Sequence, residues 1–446
     1  MVKKPLPPSA LDRAITTALD RRHQNSTLRR LSLPAADAVD FSSNDFLSLS
    51  HSPLLKQRFL SELSSQPSTP LGSGGSRLLD GNTSYALSLE SLIATFHNAP
   101  CVLLTNSGFD ANSAIFSTLP QPQDILLYDS LIHASVHDGM RASRVPSTQR
   151  FSFSHNSLPS FHATLTTILA TFPGIKSGTS SIFLALEAIY SMDGDLAPLT
   201  PILSTIDAIV PPSIRHNIHI VLDEAHSTGV QGPSGRGLAS ALSLENRISI
   251  RLHTFGKSLS SNGAAILCSE NIKAYLLNYA RPLIYTTFLS FPSLALIRAA
   301  YSLMVEGHTA PLVAQLRRNM ATLQRGLVRL HDALPCEASD VLRVTMGEPQ
   351  SPIFSVQTCD PRGLAKWCQD RGYVVRPIVP PTVPKGSERV RVCLHAGNGE
   401  GEIEGLVRCV GEWCSKVIEE RRRREGRGRS SSGDTEERHD GNRAKL

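Results

Sequence analysis

Four short segments of this 446-residue chain hold the residue types that do chemistry. Thr254-Phe255-Gly256-Lys257-Ser258 puts a lysine just past an apolar run, where a cation is costly unless it is paired or used in covalent chemistry. Ile220-Val221-Leu222-Asp223-Glu224-Ala225-His226 ends another apolar run in a carboxylate and, three residues on, an imidazole. Asp223 should be partly buried there and needs a cation or a donor to stay ionised. Asn106-Ser107-Gly108-Phe109-Asp110-Ala111-Asn112 reads as a strand end turning into a helix. Free N–H groups at such a helix start suit a phosphate, and Gly108 permits close backbone approach. His133, in Leu131-Ile132-His133-Ala134-Ser135, reads by itself more readily as structural than as functional.

Two chemistries compete for this set. A P-loop ATPase is suggested by the Asp223-Glu224-Ala225-His226 box and by Gly256-Lys257-Ser258. That motif needs a glycine five residues before Gly256, where the chain has Arg251, and its lysine precedes the acidic box instead of following it. A pyridoxal phosphate enzyme needs a Schiff-base lysine, a carboxylate against the pyridinium nitrogen and an anion site for the phosphate. Lys257, Asp223 and the turn at Gly108 supply the three. The carboxylate keeps the ring nitrogen protonated, and the cation it meets makes a buried Asp223 tolerable.

These segments need a scaffold that gathers strand ends. Apolar runs at Cys101–Thr105, Ile125–Tyr128, Ile182–Glu187, Ile218–Asp223, Ile250–Thr254 and Ala264–Cys268 are separated by helix-length stretches. That pattern predicts βαβ units and a mostly parallel sheet covered on both faces, with ligands at the strand ends. Residues 10–30 read as a helix with Leu11, Ile15 and Leu19 on one face, and a long helical stretch follows Tyr285 as far as Leu330. Ile353–Val356, Tyr373–Val375 and Val390–Leu394 read as strands of a smaller α+β domain. Pro377-Ile378-Val379-Pro380-Pro381-Thr382-Val383-Pro384 can be neither helix nor central strand and is expected to be a loop. The expected division is an N-terminal helix and arm over 1–45, a large α/β domain over 46–295, a small α+β domain over 296–420 and a disordered charged tail over 421–446.

With these residues in view, the sequence resembles the α-oxoamine synthases, fold-type I pyridoxal phosphate enzymes, from about residue 10 to 412. The resemblance rests on Phe41-Ser42-Ser43-Asn44-Asp45-Phe46-Leu47, Gly72-Ser73-Gly74-Gly75-Ser76-Arg77, Glu187 through Ser191-Met192-Asp193-Gly194-Asp195, Asp223 through Gly229, Gly235-Arg236-Gly237 and Thr254-Phe255-Gly256-Lys257. Arg376-Pro377, Pro380-Pro381-Thr382-Val383-Pro384 and Arg389-Val390-Arg391 are most similar to the branch that joins L-alanine to pimeloyl-CoA at the opening of biotin ring assembly. A sibling activity using glycine or serine with another acyl-CoA, in secondary metabolism among other settings, is the alternative. A non-catalytic subunit of a synthase heterodimer is a third reading, and it is disfavoured because Lys257 and Asp223 are both present.

The resemblance implies a seven-stranded, mostly parallel sheet between helices, a homodimer, and roles at matching positions. Lys257 would hold the cofactor and act as base, and Asp223 would pair with its pyridine nitrogen. His226 and Ser191 would bind the phenolic oxygen, with His133 stacked on the ring. Gly108, Phe109 and Thr254 would surround the phosphate, with Thr287 reaching it from a partner subunit. Asn44, Arg391 and Arg29 would hold the amino acid carboxylate, a task suited to a planar guanidinium. The chain departs from the family pattern at Asn398, where histidine is usual. It departs again at Ser258-Leu259-Ser260-Ser261-Asn262, which replaces a glycine-rich stretch, and after Thr287, where a Pro-Pro pair is missing.

Composition sets outer bounds. Of the formal charge of +6, the segment from Arg421 to Leu446 carries nine basic residues against five acidic, so the folded part is nearly neutral and nucleic-acid binding is disfavoured. No apolar run is long enough to predict a membrane span. Eight cysteines without a CxxC pair or a secretory leader read as reduced thiols of an intracellular protein, and fifteen histidines show no metal-ligand spacing. The terminal Ala444-Lys445-Leu446 is similar to the Ser-Lys-Leu address read by the peroxisomal import receptor, so a peroxisomal location is expected, with the cytoplasm as the alternative.

Overall fold

A computed structural model describes residues 8–25, 27–31, 33–335, 338–380 and 382–431, with side chains as far as 424. The chain forms two units that meet at the Ala38–Val39 bond. The N-terminal unit holds one helix, Ala10–Gln24, started by a capping box in which Ser9 and Asp12 satisfy each other's backbone N–H. This helix is shorter than the sequence pattern predicts, ending at Gln24 with Asn25 as its C-cap. Leu11, Ile15 and Leu19 are all exposed.

The second unit, Val39 onward, carries every strand among the described residues: β1 Val39–Asp40, β2 Cys101–Thr105, β3 Ile125–Asp129, β4 Arg150–Phe153, β5 Ile182–Glu187, β6 Ile218–Asp223, β7 Ile250–Thr254, β8 Ala264–Cys268, β9 Ile353–Gln357, β10 Tyr373–Val374, β11 Arg376–Ile378 and β12 Arg389–Cys393. Seven of them form one sheet in the order β2-β8-β7-β6-β5-β3-β4, parallel throughout except for β8, which runs antiparallel between β2 and β7. Alternate residues of β5 enter opposite cores. Ile182, Leu184 and Leu186 pack with the helices Leu158–Thr171 and Leu199–Ile209, and Phe183 and Ala185 with Gly108–Thr118 and Ala134–Ala142. Burial on both faces is why these strands read as unbroken apolar runs. A separate three-stranded antiparallel sheet, β11-β12-β9, lies in the same unit.

Four differences from the sequence reading have local causes. Strand β4 joins as an edge, where partial exposure left no apolar run to recognise. The helical stretch after Tyr285 is two helices, Phe291–Val305 and Ala310–Asp332, parted where Gly307 takes φ +81°. The proline-rich segment begins as β11, an edge strand, the one sheet position that tolerates the missing N–H of Pro377. The last helix, Glu400–Ser431, runs eleven residues into the segment expected to be disordered. Arg421 holds it there through two 2.8 Å contacts to Asp340, and Glu419 pairs with Arg423 one turn on. Ala444-Lys445-Leu446 lies outside the described residues. Among the described residues no helix is long and apolar enough to cross a membrane.

Candidate active site

Five parallel strands deliver their carboxyl ends to one cavity of about 1180 Å³. Ser107 and Gly108 follow β2, His133 follows β3, Glu187 ends β5, Asp223 ends β6, and Lys257 follows β7. This is the edge at which open parallel sheets hold ligands. Asn44 and Arg391 close another side, and Pro380 with residues 382–385 of the proline-rich loop supply a further wall. The volume exceeds that of an ordinary single-ligand pocket.

Asp223 is buried and held by two donors: the Asn112 side-chain amide at 2.8 Å on Oδ2 and the Ala225 N–H at 2.9 Å on Oδ1. The same Asn112 amide donates to Ser135 Oγ at 3.0 Å, and Ser135 Oγ lies 2.7 Å from His133 Nδ1. The Ser135 N–H also donates to that ring nitrogen, so Nδ1 accepts and the proton sits on Nε2. Burial, with Lys257 nearby, lowers the pKa of His133 in spite of Asp223. His226 is pushed well below its ordinary value by burial and by Lys257 and Arg391, and its buried Nδ1 has no partner among the described residues.

Burial lowers the pKa of Lys257, and Asp223 and Glu187 oppose that shift. Glu187, paired in register with Asp223 across β5 and β6, is raised well above the carboxylate range by burial and by Asp223 itself. Asp223 and the Lys257 amine thus sit among groups whose charged forms burial disfavours. Ser260, in the segment that replaces the family's glycine-rich stretch, takes φ +49° and donates to Asp45 Oδ1 at 2.5 Å, tying the lysine loop to the Asn44 segment.

At the anion end, Ser107 caps the helix Gly108–Thr118 by accepting from the Asp110 N–H, which leaves the N–H groups of Gly108 and Phe109 at the helix start. A Cβ on Gly108 would collide with Thr254 Cγ2, so only glycine lets this helix start approach β7. Phe109 is half-exposed over the cavity. Arg391 is fixed from two sides, by Nη2 to Asn44 Oδ1 at 2.8 Å and by Nε to the Ser191 carbonyl at 2.6 Å.

The cavity therefore gathers Lys257, Asp223, His226, His133, Gly108, Phe109, Ser191, Thr254, Asn44 and Arg391. Thr287 does not line it: this residue is exposed, and its carbonyl accepts from Asn106. Arg29 belongs to the N-terminal unit, where it is exposed in the coil after Gln24. Asn398, the other departure from the family pattern, is buried beside His395, whose N–H it accepts at 2.8 Å. Asn112, Ser135 and Glu187 were given no role on sequence grounds. Glu187 carried the same mark as Asp223, a carboxylate closing an apolar strand; the other two are ordinary polar residues on helices.

Pyridoxal phosphate fits these residues. A helix start that only glycine could bring so close, a buried carboxylate oriented by two donors, an amine of lowered pKa and an unpartnered buried imidazole match its phosphate, pyridine nitrogen, aldehyde and phenolic oxygen.

Comparisons with known proteins agree. The model of the class I and II aminotransferase family matches residues 36–410. An 8-amino-7-oxononanoate synthase of Emericella nidulans is 48% identical over 93% of this chain and 99% of its own. The aminoacyl transferase sphA of Aspergillus fumigatus is 37% identical over 91% of this chain and 88% of its own. Among solved structures, the serine palmitoyltransferase of Sphingomonas wittichii superposes with a TM-score of 0.77 at 20% identity, covering 92% of this chain and 99% of its own, a likeness of fold. The chain belongs to the class I and II aminotransferase family of pyridoxal phosphate enzymes, and within it to the acyltransferases of the α-oxoamine synthase type.

Proposed function

We propose that the enzyme condenses L-alanine with pimeloyl-CoA, losing CO2 and coenzyme A, to give 8-amino-7-oxononanoate for biotin biosynthesis. The observation that carries this reading is the end-to-end similarity to the Emericella nidulans synthase. Bound pyridoxal phosphate supplies the electron sink that makes the amino acid Cα–H acidic. The protein does the rest. Arg391, pinned by Asn44 and Ser191, keeps Nη1 for the alanine carboxylate. Lys257, whose pKa burial lowers, lines the cavity where it can accept the Cα proton. His133 presents Nε2–H toward the cavity, where it can stack on the ring and donate to a substrate oxygen. Asp223 holds the ring nitrogen's proton, and His226 and Ser191 orient the phenolic oxygen.

The test is a visible absorbance spectrum of the cofactor-loaded enzyme, followed by product analysis. A band that shifts with L-alanine, together with amino ketone formed from alanine and pimeloyl-CoA, supports the reading; no such product sinks it. The similarity to the aminoacyl transferase favours one second reading, a sibling synthase using glycine or serine with another acyl-CoA. A spectrum silent to alanine but responsive to either of those would select it. A homodimer with Thr287 at the neighbouring site is proposed with the same reading, checked by light scattering and by the cofactor affinity of Thr287→Ala. The terminal Ala444-Lys445-Leu446 is proposed to direct the enzyme to peroxisomes; a fluorescent fusion that stays punctate after these residues are deleted refutes it.

A further inference from the structure

The cavity wall made by the proline-rich loop carries a cation that none of the roles above uses. Three cationic side chains other than histidine line the cavity: Lys257, Arg391 and Lys385. The first faces Asp223 and Glu187, and the second is pinned by Asn44 and Ser191. The three acids of the lining are also committed. Asp223 is held by Asn112, Glu187 is buried at the end of β5 with its charged form disfavoured, and Asp193 pairs with Arg389. Glu388, the carboxylate closest to Lys385 in sequence, accepts from the Gly386 N–H at 2.8 Å. Among the described residues no carboxylate lies within ion-pair reach of Lys385, an unpaired cation on the wall of a reaction cavity.

The residues before it have a matching character. Pro380, Thr382, Val383 and Pro384 line the cavity just ahead of Lys385, so the wall is a largely apolar strip, with one hydroxyl at Thr382, that ends in an ammonium group. Prolines fix φ and stiffen the strip, and Gly386, at φ +88°, turns the chain away immediately after Lys385. The base of the loop is pegged to the cavity, because Arg389 reaches both the Ser387 carbonyl and Asp193. A rigid apolar strip closed by a cation is complementary to a methylene chain closed by an anion.

We infer that Lys385 binds an anionic group of the acyl thioester, with the acyl chain laid along Pro380, Val383 and Pro384, and so selects substrates that carry that charge. This rests on the acyl-CoA reading of the site. The anion can come from two sources, the distal carboxylate of a dicarboxylic acyl chain or a phosphate of coenzyme A. The largely apolar approach along Pro380, Val383 and Pro384 favours the carboxylate.

The test measures kcat and KM of the holoenzyme and of Lys385→Ala and Lys385→Arg with pimeloyl-CoA, heptanoyl-CoA and S-pimeloyl-pantetheine. A charge-assisted contact predicts a KM for pimeloyl-CoA about tenfold higher in Lys385→Ala, kcat within about twofold, and recovery in Lys385→Arg. If the rise disappears with heptanoyl-CoA, the carboxylate is the ligand; if it disappears with the pantetheine ester, the phosphates are. An equal change, or none, with all three substrates overturns the proposal. Calorimetric binding of pimelate and of free coenzyme A reads the contact without turnover. A wild-type enzyme inert toward pimeloyl-CoA whose affinity for either ligand falls in Lys385→Ala would overturn the biotin reading and keep the Lys385 site. Unchanged affinity for both would overturn Lys385 as well.

Discussion

Two histidines that follow neighbouring strands of the large sheet show how the molecule sets charge. His133, after β3, reaches Asp223 only through Ser135 and Asn112, and its pKa is lowered. His155, after β4, lies directly between Asp129 at 2.8 Å and Asp195 at 2.7 Å. Burial would lower its pKa too, but hydrogen bonds to both carboxylates outweigh burial and raise it to about 10. A hydroxyl and an amide between imidazole and carboxylate transmit orientation while keeping the ring neutral; direct contact makes it a cation. The first arrangement suits a ring that must lie against a cofactor, and the second makes a fixed ion triad that braces the turn after β5. Tyr190 of that turn packs edge-on against His155, with centroids 4.5 Å apart, and lines the cavity.

The severest break of this contrast is Lys257→Ala. It removes the base and the cation facing Asp223 and Glu187, and should lower kcat about a thousandfold or more with loss of covalently retained cofactor, read by borohydride reduction and mass spectrometry. Gly108→Ala comes next. The new methyl has no room against Thr254, so the helix start must withdraw from the phosphate, and cofactor Kd should rise about tenfold to a hundredfold by fluorescence titration. Ser135→Ala severs the relay to His133. The Ser135 N–H still holds Nδ1 as an acceptor, but the ring loses its link to Asn112 and Asp223, so kcat should fall about tenfold and the acid limb of the kcat–pH profile should move, while global stability changes little.

The smallest effect on turnover belongs to His155→Gln, whose effect is on stability. The folded pKa of about 10 lies above the ordinary 6.5, so the triad's contribution is complete below about pH 6.5 and is lost as pH rises through 10. Thermal unfolding should show the variant less stable by about 2 kcal/mol at pH 6.5 and nearly equal to wild type above pH 10. A gap independent of pH would refute the assignment of a charged His155.

Much of the site was legible because a doubly covered parallel sheet writes its strands as apolar runs and leaves the polar residue at each run's end conspicuous. Asp223, Lys257 and Gly108 were found in that way, and Glu187 carried the same mark without being given a role. Strand β4 gave no such signal, because an edge strand can keep polar and exposed positions. The relay from Asp223 to His133 could not be read, since it runs through an asparagine 111 positions from Asp223 and 23 positions from the serine that meets His133. Nothing local distinguishes such residues from the many asparagines and serines that simply face water.

The sequence by itself determined the strand pattern, the lysine, the carboxylate and the anion-binding turn, because burial and helix starts impose short-range rules on residue type. The tertiary structure alone decided which of these groups keep their charge. The pKa of Lys257, the neutrality of Glu187 and His133, and the cation at His155 depend on desolvation and on partners within a few ångströms. Those distances exist only once strands far apart in sequence lie side by side.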